Sequence, residues 1–134
     1  MTPTLPLVAA GYAALLGLLA ALLTVRVIVN RVKLRIDSGD GGNAAMAQAI
    51  RAHANAAEQV PLALLLLICA EAAGTPPPAI HALGGALLLA RLASAWGLSR
   101  SLGPTSPRQA GAGLTVLVIV AASLLIVWRL AAGR

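Results

Sequence analysis

The sequence predicts an all-α fold, an integral membrane bundle of four transmembrane helices. Hydrophobic residues make up 59% of the 134 residues and charged residues only 10%, whereas a soluble domain carries about 25% charged residues. A spanning helix needs about 20 apolar residues, and four such segments with short links account for nearly the whole chain. The basic residues gather at the ends of those segments, as the positive-inside rule requires.

The first span is expected over about residues 5–30, with no charge before Arg26. The N-terminal stretch lacks the positive region of a signal peptide, so it is read as a retained helix. The fourth span, about 109–131, is uncharged between Arg108 and Arg129. The middle two depend on their charges. Glu58 and Glu71 bracket 12 uncharged residues, and another 12 run from Ala79 to Ala90 before Arg91. Neither run crosses a bilayer alone, so the second and third spans must extend to about 46–73 and 78–99. Charges at that depth must face the bundle interior, water or one another. Together the spans form a single domain, 1–134.

Loop one, from Arg31 to Asn43, carries Arg31, Lys33, Arg35, Asp37 and Asp40, and its Ser-Gly-Asp-Gly-Gly-Asn stretch reads as a turn. Loop two, Gly74 to Pro78, is uncharged and rich in proline. Loop three carries Arg100 and Arg108. Loops one and three are therefore expected in the cytoplasm and both termini outside.

At about 100° per residue, Gln48, Arg51, Asn55 and Glu58 fall within a sector of about 80° on the second helix. Alanines surround this stripe, which marks an internal face. Arg91 projects from the third helix, which runs in the opposite direction. Glu58 lies ten residues past Gln48 and Arg91 nine before Arg100, or about 15 and 13.5 Å of rise. The matching depths predict a Glu58–Arg91 pair. Polar contacts that only join helices need one such pair, and the stripe holds more. Arginine forks suit carboxylates, a buried Glu suits an ammonium, and Asn both donates and accepts. The set fits a ligand with carboxylates and an amine, entering from the cytoplasm. An arginine beside a thiol would also favour the thiolate.

Other chemistries find little support. Cys69 is alone, so no internal disulfide framework exists, and one Cys with two distant His residues does not make a metal site. The net charge of +6 is spread over helix ends and does not point to nucleic acid. Trp96 and Trp128 are expected as interface anchors. His81 and Glu71 are expected at the outer surface, with Glu71 solvated.

The segment Ile50-Arg51-Ala52-His53-Ala54-Asn55-Ala56-Ala57-Glu58-Gln59-Val60-Pro61 resembles the signature of the MAPEG family, the membrane-associated proteins in eicosanoid and glutathione metabolism. That signature is Arg, Asn four on, Glu three on, an aromatic next, and Pro two later; four of the five match. Gly39–Gly42 before it and Ala90–Leu98 after it are similar to bacterial members. The resemblance implies a protomer that assembles as a homotrimer in a bacterial inner membrane. It implies glutathione, or another low-molecular-weight thiol, as co-substrate at the protomer interface. It carries ligand contacts onto Arg51, Asn55 and Glu58, with Arg31 and His53 as further candidates beside Gln48 and Arg91. The family's aromatic after Glu is Gln59 here, its third-helix Tyr or His is Ser94, and the Tyr of its Gly-Tyr pair is Leu98. The position of its thiol-activating arginine is Thr105, flanked by Arg100 and Arg108, which become the catalytic candidates. The implied function is a glutathione-dependent transferase or peroxidase acting on lipophilic electrophiles drawn from membrane lipid. A non-catalytic lipid-binding or scaffold member and a small proton-coupled transporter are the alternatives.

Overall fold

The computed structural model describes residues 5–133. Its elements are α1 (Leu7–Leu34), α2 (Ala44–Ala72), α3 (Pro77–Arg100) and α4 (Ser106–Ala131), and no strand occurs among the described residues. All four helices are long and apolar enough to cross a membrane. The molecule is thus an all-α, four-helix membrane bundle.

Local chemistry explains where the helices begin and end. α1 continues past Asn30, so Arg31 and Lys33 lie in its last turn rather than in the loop. Cations there complement the carbonyl end of the helix dipole. The helix stops at Arg35, whose left-handed φ of 55° turns its N–H back to the Arg31 carbonyl. Asn43 caps α2 by accepting from the Met46 amide at 3.1 Å. α3 opens on Pro77 and Pro78. α4 starts at Ser106, earlier than expected, because Pro107 fits the first turn, where its missing N–H would be unpaired anyway.

The start of α1 is capped from another helix. Pro6 offers no side-chain acceptor. The Val8 and Ala9 amides donate instead to the two carboxylate oxygens of Glu71, at 3.0 and 2.7 Å. A carboxylate at a helix N-terminus satisfies orphan donors and the dipole together. Glu71 is therefore a helix cap and not the solvated outer-surface charge expected from its position.

α1 and α4 occupy opposite corners, with α2 and α3 between them. The core is layered along the bundle. Ala9, Leu67, Ala70 and Ile80 form the layer at the loop-two end. Leu16, Ala63, Leu87 and Val118 form the middle, and Leu23, Ala52, Ala56 and Leu98 the layer toward loops one and three. Small residues let the backbones approach, as in other lipid-embedded bundles. α4 buries Gly111, Thr115, Val118 and Ala122 at spacings of four, three and four. A Cβ at Gly111 would collide with the Ser94 side chain and the Ala90 carbonyl of α3. Gly84 likewise makes room for the Tyr12 ring, whose hydroxyl donates to the His81 carbonyl at 3.2 Å and lies 3.1 Å from His81 Nδ1.

Gly111→Leu is expected to push α4 off α3 and destabilise the bundle by about 1–3 kcal/mol. Gly113→Leu, where the added group meets nothing within 4 Å, should be close to neutral. Thermal unfolding of both variants in one detergent checks the contrast.

Candidate functional site

Arg91 sits well inside α3 and is only 2% exposed. A charge at this depth must find its partners within the protein. Nη1 donates to Asn55 Oδ1 at 3.1 Å and to Gln59 Oε1 at 3.0 Å, and Nη2 donates to Ser94 Oγ at 2.6 Å. Nε is buried without a partner. All three acceptors are neutral oxygens, and no carboxylate pairs with Arg91 among the described residues.

The expected Glu58–Arg91 pair is not formed. Glu58 instead faces Arg51 at 4.0 Å, with side chains 60% and 50% exposed. Depth matching set the level correctly but not the direction around the helix. Asn55 and Gln59, four residues apart, share the side of α2 turned toward α3, while Glu58 lies about 100° round from Gln59. α2 thus presents two strips side by side. Asn55 and Gln59 reach inward to Arg91, and Arg51 and Glu58 form a half-exposed ion pair on the outer side.

The stripe continues toward loops one and three. Gln48 Nε2 donates to the Arg100 carbonyl at 3.4 Å, tying α2 to the end of α3. Next to it is an open pocket of about 420 Å³, lined by Gly39, Asp40, Ala47, Ile50, Arg51 and Leu102. Its volume lies in the range of small-molecule sites, about 300–1,000 Å³. Leu102 also borders a second pocket of about 300 Å³, on which Arg108 opens.

The remaining candidates lie outside the Arg91 cluster. Arg31 Nη1 donates to the carbonyls of Ile36, Asp37 and Gly39 at 3.2–3.3 Å and so shapes loop one. His53 faces α1, with Nδ1 3.3 Å from Thr24 Oγ1. The Arg100 guanidinium stacks on the Trp96 ring at 4.4 Å. Arg108 donates to the carbonyls of Leu102 and Gly103 at 3.0 and 3.4 Å, bracing loop three. Within one chain, then, Asn55 meets Arg91, Arg51 and Glu58 pair with each other on the adjoining strip, Gln48 reaches the Arg100 carbonyl rather than Arg91, and Arg31, His53 and Arg108 make separate contacts. Gln59 and Ser94, which depart from the family motif, are direct partners of Arg91. The spacing of four from Asn55 to Gln59 and of three from Arg91 to Ser94 was the available signal.

Four apolar helices around an internal polar cluster, with an open pocket at one end, define a polytopic membrane protein. The model of the MAPEG family matches residues 9–128. The chain is also 35% identical over 96 residues to Inner membrane protein YecN of Escherichia coli strain K12, covering 72% of this chain and 73% of that protein. The same identity and coverage hold for its counterpart in Escherichia coli O6:H1. The chain belongs to the MAPEG family.

Removing the guanidinium from the cluster strands three oxygens at once. Arg91→Met is expected to lower stability by about 2 kcal/mol or more, whereas Arg51→Met, which strands no buried oxygen and breaks only a loose contact at 4.0 Å, should cost less. Equilibrium unfolding in mixed detergent micelles measures both.

Proposed function

We propose that this chain is a membrane-bound transferase or peroxidase that uses glutathione, or another low-molecular-weight thiol, against lipophilic electrophiles. One observation carries the reading. The α2 face presents Arg51, Asn55 and Glu58 together, beside an open pocket that Arg51 lines. Arg51 suits a carboxylate through its fork, and Glu58 suits an ammonium. A γ-glutamyl peptide thiol carries both groups. The matching positions in family enzymes are those that the MAPEG signature assigns to glutathione contacts.

The exposure of this pair supports a homotrimer. Glu58 is fourteen residues into α2, or about 21 Å of rise from its start. A charged pair half open to hydrocarbon at such depth would cost several kcal/mol. A second copy of the chain closing over this face, with ligand between, removes that cost. Arg100 and Arg108 remain the candidates for thiolate stabilisation. Both stand at the same end of the bundle as the Arg51 pocket, Arg100 on an aromatic face and Arg108 on loop carbonyls that a thiolate could replace. The electrophile and other lipophilic partners would arrive through the bilayer. The positive loops one and three would face the cytoplasm and both termini the outside. By likeness to YecN, the location would be a bacterial inner membrane.

A second reading, a lipid-binding or scaffold protein without catalysis, is favoured by Leu98. Where enzymes of the family place a tyrosine, Leu98 is 1% exposed and packs with Leu23, Ala52 and Ala56. It offers no hydroxyl to a thiolate.

Conjugation of glutathione to a chlorinated nitroaromatic by the purified protein separates the two. The transferase reading expects turnover and a loss of about tenfold or more in kcat/KM for Arg51→Ala, the cost of one charged hydrogen bond. Absence of both turnover and any thermal shift with glutathione would rule the enzyme out and leave lipid binding.

A further inference from the structure

The character of the α2 face depends on which way two amides are turned, and Arg91 settles that. A guanidinium only donates. With Nη1 at 3.1 Å from Asn55 and 3.0 Å from Gln59, each amide has to present its oxygen to Arg91. Turning either over would set an NH2 group against a guanidinium. Each amide nitrogen is therefore aimed away from Arg91. Both residues are half-buried, bridging interior and surface. Among the described residues, neither nitrogen donates to a protein acceptor.

We infer that Arg91 is a positioning residue that makes Asn55 and Gln59 obligate donors, and that Gln59 adds a ligand contact selecting a second acceptor group on the thiol. The inference rests on the thiol-binding reading above. An unclamped Asn could rotate to meet donor or acceptor alike, and an aromatic at 59 would offer at most a hydroxyl. Clamped by Arg91, the face reads as one guanidinium, two amide donors and one carboxylate. Such a face takes a ligand whose contacting groups are oxygen acceptors, carboxylates or peptide carbonyls, with a single ammonium opposite Glu58. It disfavours thiols that turn amide donors toward α2.

Asn55→Asp and Gln59→Glu test this directly. Each keeps an oxygen for Arg91 and supplies it with a countercharge, but each replaces the outward donor with an acceptor. Without ligand, the melting temperature in detergent is expected to stay level or rise. Glutathione affinity, followed by isothermal calorimetry, is expected to fall about tenfold or more in each variant. Glutathione carrying a carboxamide in place of its glycyl carboxylate should lose less, narrowing or reversing the wild-type preference for glutathione. A merely structural role would not move that preference. Wild-type affinity retained in both variants would overturn the inference alone. A drop in ligand-free melting temperature in both would overturn the Arg91 clamp itself. A wild-type protein that binds neither thiol would remove the thiol-binding reading, and this inference with it.

Discussion

A guanidinium inside a membrane span organises everything that surrounds it. Arg91 cannot reach water, so three oxygens have come to it, two from α2 and one from its own helix. Ser94 is one of them, and α4 can lie against it only because position 111 has no side chain. A single charge therefore fixes the relative placement of α2, α3 and α4. In lipid, where helices gain little by merely hiding apolar surface, packing of small residues and polar contacts of this kind set the register.

The same charge divides α2 into two functions. Asn55 and Gln59 work inward on Arg91, while Arg51 and Glu58 are left for the outer side. The amide oxygens of Asn55 and Gln59 thus hold the bundle, while their nitrogens, with Arg51 and Glu58, are left facing outward. Where the MAPEG signature has aromatic residues, this chain has Gln59 and Ser94 bound to a guanidinium and Leu98 closed into the core. The polar residues of the signature are kept, and an amide held by a guanidinium stands where it has an aromatic one.

Much of this was legible in the sequence. The four spans follow from local hydropathy, which needs no knowledge of neighbours. The α2 stripe follows from spacings of three and four, since helical periodicity alone places residues on a face. The level of Arg91 followed from rise per residue. Its partners did not, because the azimuth of one helix against another is set by packing, and Gly111 and Ser94, which decide that packing, carry no charge to draw attention. Glu71 was misread for a related reason. A carboxylate near a span end is ordinarily solvated, and only the juxtaposition of the α2 end with the bare amides of α1 gives it a task. Arg31 is expected as a ligand contact and Arg108 as a catalytic candidate; the carbonyls they also meet could not be foreseen, because only the folded path of a short loop brings several to one guanidinium.

The bond from Glu71 to α1 bears on how the protein is made. The ribosome delivers α1 first, and its Pro6 cap position offers no side-chain acceptor for the leading amides. The group that covers them is translated more than sixty residues later, at the far end of α2. The capped start of α1 is therefore a property of the α1–α2 hairpin as a unit and not of the first helix by itself.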